Sequence, residues 1–195
     1  MRNVFRALGA KKLFSDEDRF WLNEDVNKQN AHIWIDEQPK EVQALPLHSE
    51  KTTVWCGLWA SGIVGSYIFK TETGQNVTVN GDRYRDMITD YLVPEIVVSS
   101  LSDIWFQKYG ANCHTSRESM ALARKRFGEQ FISRFVPVNW SPISCDITPL
   151  DFFLWSYLKS KVYMNKPAAI EALEASITRV TGQIPIEKLE RAIEN

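Results

Sequence analysis

The chain of 195 residues is poor in cysteine, has no surplus of basic residues and contains no long apolar run. Its three cysteines, Cys56, Cys113 and Cys145, are unevenly spaced and never form a C-x-x-C pair. That pattern argues against a disulfide framework or a structural zinc site and favours reduced thiols in an intracellular compartment. Lysine and arginine number 23 against 24 acidic residues, for a formal net charge of −1. A self-sufficient DNA-binding domain carries a clear basic excess, because phosphate neutralisation dominates its affinity. Here that excess is missing. The densest basic cluster, Arg124-Lys125-Arg126, reads as the solvated face of a helix rather than as a phosphate contact. No stretch reaches the ~18 apolar residues of a membrane span. The start, MRNVFRALGAKKLF, lacks a continuous apolar core and a small-residue cleavage site, so it does not read as a signal peptide. No repeat or low-complexity segment occurs.

What is present suits one globular domain. Hydrophobic residues make up 44% and charged residues 24%, enough for a single sizeable core. Lys12–Asp16 reads as a first strand, followed by a polar stretch over 23–50 with a possible short strand at His32–Ile35. Thr52–Ala60 and Ile63–Lys70 are β-rich runs separated by Ser61-Gly62, a hairpin signal. After Asn80-Gly81, the residues Tyr84, Met87, Ile88, Tyr91 and Leu92 keep the spacing of one buried helical face, and Pro94 is expected to end that helix. Ile104–Gln107 is a short buried strand. Thr115-Ser116-Arg117-Glu118 fits a capping box for a helix over 116–127, lined by Met120, Ala123 and Phe127. Phe131–Phe135 is another strand, and Pro137, Pro142 and Pro149 bracket a loop. Thr148 reads as an N-cap and Pro149 as the first position of a helix lined by Leu150, Phe153, Leu154, Tyr157 and Leu158. A helix with Ile170, Leu173, Ile177 and Val180 follows, and Pro185 starts a last short one. Antiparallel strands first and strand–helix alternation later predict an α/β fold with a mixed sheet flanked by helices.

Three segments concentrate the candidate chemistry: LFSDEDRFWL (13–22), IWFQKYGANCHT (104–115) and SPISCDITPLDFFLW (141–155). Each is an apolar run broken by a polar residue at a strand end or loop, respectively Asp16, Tyr109 and Asp146. Aspartates on neighbouring rigid elements are the natural ligands of hard divalent cations, and two such cations about 3.5–4 Å apart can cleave a phosphodiester. With 24 acidic residues to choose from, spacing alone says little. The wording around the aspartates is more specific. LFSDEDRFWL, VNKQN, PLHSEKTTVWCGLWA, NVTVNGDRYRDMI, ISRFVPVNW and CDITPLDFFLW together resemble the catalytic domain of mariner-type DNA transposases, from about residue 12 to the C-terminus. The resemblance implies a ribonuclease-H-like fold over 12–195 after a residual segment at 1–11. It also implies Mg2+ or Mn2+ as cofactor, DNA as partner and a nuclear location. Asp16 is similar to the family's first catalytic aspartate and Asp146 to its third, both as metal ligands.

Two departures temper that reading. Tyr109 occupies the position of the second aspartate; a phenol with a pKa near 10 is neutral at pH 7 and a poor ligand for magnesium. Asp103 lies six residues away, about 20 Å at ~3.3 Å per residue, and Asn112 offers only a neutral oxygen from another direction. In addition, about a dozen residues precede the first strand where family members carry paired helix-turn-helix units, so sequence-specific DNA recognition is expected to be absent. The expected function is thus a transposase-derived domain with impaired cleavage, weak non-specific DNA binding and a possible homodimer, with neither a membrane nor a small-molecule substrate. The alternatives are an interaction module without DNA activity and a residual nuclease using Asp16, Asp146 and one metal. Asp151, three residues after Thr148, reads as a capping residue, and Glu17 and Asp18 as solvated. Cys113-His114 reads as packing or as support for the site, since adjacent residues rarely face each other as nucleophile and base. His32 and His48 carry no signal. Trp55, Trp59, Trp105 and Trp155 read as core rather than as a base-stacking platform.

Overall fold

The computed structural model describes residues 12–23, 50–101, 103–108, 112–133 and 148–194. Five strands form one mixed sheet: β1 (Lys12–Trp21), β2 (Lys51–Trp59), β3 (Gly62–Ile68), β4 (Trp105–Lys108) and β5 (Phe131–Ile132). Their order is β3-β2-β1-β4-β5. The β1–β2 and β2–β3 pairs are antiparallel, whereas β1–β4 and β4–β5 are parallel. β1 is therefore the central strand and the one at which the sheet changes sense.

Alternation along the strands builds two cores. Phe14, Phe20, Val54, Cys56 and Leu58 point to one face of the sheet, while Leu13, Trp55 and Val64 point to the other. The second face is covered by α1, whose segments are Gly81–Asp86, Met87–Leu92 and Val93–Val98, and by α3 (Arg117–Phe127), with the short α2 (Asn112–Thr115) between β4 and α3. The first face is covered by α4 (Leu150–Trp155 continuing through Ser156–Val162), α5 (Ile170–Gly182) and α6 (Ile186–Glu194). Burial of Tyr84, Met87, Ile88 and Leu92 matches the spacing read from the sequence.

Several boundaries differ from the sequence reading, each for a physical reason. β1 runs to Trp21 rather than stopping at Asp16, because the antiparallel ladder with β2 continues to Trp21↔Lys51 through the charged triplet Glu17-Asp18-Arg19. Pro94 does not end α1. The middle segment widens to a π-helical turn in which the Val93 N–H reaches back to the Ile88 carbonyl, and Pro94 sits in the first turn of the next segment, where its missing N–H is tolerated. Ser116, not Thr115, caps α3. Thr115 is the last residue of α2, and the extended Ser116 accepts from the Ser119 N–H at 3.2 Å. In the hairpin a bulge falls between Trp55 and Cys56. Gly65 opposite has a φ of 111°, and a Cβ there would lie 2.9 Å from the Trp55 carbonyl. The strand suggested at His32–Ile35, residues 134–135 of the fifth strand, and the loop with Pro137 and Pro142 lie outside the described residues.

A polar anchor ties α5 to the turn after β3. Glu174, 6% exposed, accepts from Lys70 Nζ at 2.5 Å and from Asn76 Nδ2 at 2.8 Å. Thr52 Oγ1 in turn donates to Asn76 Oδ1 at 3.2 Å. Truncating Glu174 to alanine leaves two donors without their acceptor. We expect urea denaturation to show a loss of about 2 kcal/mol.

Candidate functional site

Asp16 stands on the central strand one residue beyond Ser15↔Lys108, the last described pair between β1 and β4. Its side chain shares a face with Phe14 and lies under α4, with 8% exposure. Trp155 Nε1 donates to its Oδ2 at 3.2 Å. Among the described residues no lysine, arginine or histidine pairs with it. Burial, followed by the neighbouring carboxylates of Glu17 and Asp151, pushes its pKa up to about 8, and the Trp155 hydrogen bond offsets only part of this. The protein thus holds a buried carboxyl group on a rigid strand, with no cation among the described residues to neutralise it.

Asp151 belongs to the same neighbourhood, which corrects the capping role assigned from sequence. Its backbone N–H donates to the Thr148 carbonyl at 3.0 Å, but the Thr148 hydroxyl is buried and bonds to nothing, so no side-chain cap forms. The Asp151 Oδ2 is likewise buried without a hydrogen bond. Burial and then the Asp18 carboxylate raise the Asp151 pKa, and Lys159 counters them. Lys159 itself is engaged by Asp18 at 2.5 Å, so Asp18 is ion-paired rather than simply solvated. Trp155 packs in the core, as read from the sequence, and in addition orients the carboxyl of Asp16.

On the opposite face, Glu17 points away from Asp16 toward α2. His114 Nε2 lies 2.9 Å from Glu17 Oε1, with side-chain exposures of 1% and 11%. The imidazole stacks on Tyr84, with ring centroids 4.1 Å apart. Lys108, fully buried at the end of β4, donates from Nζ to the His114 carbonyl and lies over the Phe131 ring. His114 therefore supports the frame between β1, β4 and α2, as its sequence context suggested, and Glu17 is its partner instead of a solvated charge. Cys56, opposite Asp16 on β2, is a buried free thiol whose pKa is pushed up by burial and then by Asp16, which makes it neither a nucleophile nor a ready ligand.

Tyr109 and Asp146 lie outside the described residues, as do Asn112 and Cys113 in their side chains. Their sequence neighbours are placed: Tyr109 follows directly on Lys108, and Asp146 precedes Thr148 by two residues. Asp103 precedes the start of β4, at the end of that strand away from Lys108. Gln107 was missed from the sequence. Its carboxamide is fully buried and neither the oxygen nor the nitrogen has a hydrogen-bond partner. The available signal was a lone amide inside the apolar run IWFQK, on the strand leading to Tyr109.

Among the described residues no group of three or more histidine, cysteine, aspartate or glutamate side chains converges as a metal site. The donor chemistry that is present nonetheless fits a hard divalent cation. Asp16 and Asp151 are oxygen donors, the Asp151 Oδ2 is orphaned, and among the described residues no cation pairs with Asp16.

No protein-family model matches the sequence, and no curated protein sequence does. Solved structures do match. The chain is similar to Mos1 transposase in its paired-end complex with the left transposon end, with a TM-score of 0.72 and 17% identity over 99% of this chain and 54% of that one. The catalytic domain of Mos1 mariner transposase gives 0.68 at 15% identity, over 99% and 80% of the two chains. The Mos1 catalytic domain with raltegravir and Mn gives 0.67 at 14% identity, over 95% and 76%. The fold is thus that of the mariner-type catalytic domain, a ribonuclease-H-like mixed sheet with helices on both faces. The chain spans about half the length of the Mos1 transposase chain of the paired-end complex, 54% of it.

Proposed function

We propose that this chain is a transposase-derived domain, extending over residues 12–195, whose ancestral chemistry is metal-dependent cleavage and transfer of DNA strands, and that Tyr109 impairs the cleavage. The carrying observation is Asp16, buried on the central strand without a cationic partner among the described residues, in a fold shared with the Mos1 catalytic domain. Asp16 and Asp146 would hold the metal, Mg2+ or Mn2+, which when bound supplies Lewis-acid activation of water and of the phosphoryl oxygens. Trp155 fixes the orientation of the Asp16 carboxyl through Oδ2, and Asp151 adds negative charge that favours a cation beside it. Tyr109 brings a neutral phenol where a third oxygen anion would be needed, so metal binding is weakened.

DNA is the partner in this reading. Mos1 transposase has been solved with its left transposon end and in a strand transfer complex. For the present chain, a net charge of −1 supports weak, non-specific and salt-sensitive binding. A homodimer and a nuclear location complete the proposal. The test is nicking of supercoiled DNA in manganese by the purified protein and by its Tyr109→Asp variant. We expect the variant to nick at least about 100-fold faster, a modest part of what a complete two-metal site supplies. Equal rates in the two proteins would overturn the impaired-site reading. Failure of both, with no manganese binding by the variant, would place the damage beyond position 109.

A further inference from the structure

The end of the domain away from Asp16 carries a cleft that the cleavage chemistry does not use. Its volume is about 330 Å³, and its floor is apolar: Val93, Ile96 and Val97 from α1, Leu101 and Ile104 ahead of β4, and Phe127 at the end of α3. That volume falls at the lower end of the roughly 300–1,000 Å³ typical of ligand pockets. The final turn of α1 leaves aliphatic side chains in water, with Val97 73% and Val98 78% exposed. Two neighbouring large β-branched residues exposed at a helix end, continuous with an apolar cleft, mark an interaction surface more than a chance surface position.

The rim identifies the partner's charge. Lys125 and Arg126 line one wall, with exposed Arg124 beside them on the same last turn of α3. Among the described residues none of these three cations has an ion pair. Asp103 stands as the acidic group lining the cleft. A nucleic-acid backbone would call for a continuous basic track with polar contacts, and it could not use an aliphatic floor. An amphipathic helix with acidic residues beside its apolar face uses both parts of the surface, burying its apolar side chains in the cleft while its carboxylates meet Lys125 and Arg126.

We propose that the cleft between the end of α1 and the end of α3 docks an acidic amphipathic helix of a partner protein. The inference is independent of whether the Asp16 site cleaves DNA, since no residue is shared between the two. It would let the domain recruit a protein even with strand cleavage lost.

The probe is a labelled synthetic peptide with leucines at i, i+3, i+4 and i+7 and glutamates flanking them, paired with the same peptide carrying lysines for glutamates. Binding is followed by fluorescence anisotropy and by amide shift mapping on the whole chain. We expect the acidic peptide to bind about tenfold or more tightly than the basic one. Shifts should centre on Val97, Leu101, Ile104 and Phe127. Val97→Asp should reduce binding about tenfold, and the double variant Lys125→Glu, Arg126→Glu should reverse the preference toward the basic peptide. All three substituted residues are exposed, so an unchanged melting temperature separates docking from folding. Equal binding of the two peptides, or shifts away from the cleft, would overturn the proposal. So would displacement of the acidic peptide by a DNA duplex competing at Lys125 and Arg126, or by a second copy of this chain as protein concentration rises.

Discussion

Replacing Asp16 with asparagine is expected to stabilise the metal-free protein by about 4 to 5 kcal/mol near pH 7 to 8 and to leave its stability near pH 4 almost unchanged. The native carboxyl is raised from 3.8 to about 8, with burial as the largest cause. Between those values the native state holds a proton that the unfolded chain has released. The stability contributed by that proton is fully present below about pH 4 and is lost as pH rises through about 8, at about 1.4 kcal/mol per pH unit. Asparagine keeps the neutral form at every pH and can still accept from Trp155 Nε1 through its carbonyl oxygen. Urea unfolding at several pH values measures the difference directly. Manganese adds an independent arm: a cation that binds the ionised carboxylate should raise the melting temperature of the wild type at pH 8 and not that of Asp16→Asn. Parallel stability curves for the two proteins across pH 4 to 8 would show that burial does not hold the Asp16 carboxyl in its neutral form.

How much of this was legible in the sequence depends on how local each signal is. Asp16 stood out because it interrupts an apolar run, whereas the placing of Leu13 on one face of β1 and of Phe14 and Phe20 on the other comes from the structure. The length of β1 was not legible. Glu17-Asp18-Arg19 reads as the end of a strand unless the ladder to β2 is known, and that ladder closes across residues 22–50. Trp155 as the partner of Asp16 was beyond reach, because 139 residues separate them. Asp151 misled for the opposite reason: T-x-x-D is a strong local signal for a cap, and only the burial of the Thr148 hydroxyl shows that the cap is not formed. Pro94 was likewise read by a local rule that a single wide helical turn circumvents. The candidate positions Asp16, Tyr109 and Asp146 were visible as a pattern of words, yet only Asp16 of the three falls within the described residues. The sheet order, with β1 between an antiparallel and a parallel neighbour, gives that one residue its meaning.

Removing the imidazole of His114 should be among the most damaging single changes to the frame around the site. His114→Ala is expected to lower stability by about 3 kcal/mol, read by urea denaturation at pH 7. The alanine removes the partner that stands 2.9 Å from Glu17 Oε1, leaving a carboxylate with 11% exposure without it. It also removes the ring stacked on Tyr84. His114→Gln should recover part of the loss, because its side-chain amide can donate to Glu17 where alanine cannot. A double-mutant cycle with Glu17→Gln isolates the pair, and a coupling above about 1 kcal/mol is expected for groups in direct contact. The consequence reaches position 109 through the backbone. Lys108 donates to the carbonyl of the same His114, so this one residue fastens the end of β4 to α2 on either side of Tyr109, while its ring fastens α2 to the residue after Asp16. If the frame holds position 109 in register with β1, His114→Ala in the Tyr109→Asp background should weaken manganese binding, and His114→Gln should restore it in proportion to stability. Full manganese affinity in the His114→Ala, Tyr109→Asp protein would mean that the metal site is positioned by other contacts, with His114 serving only the core.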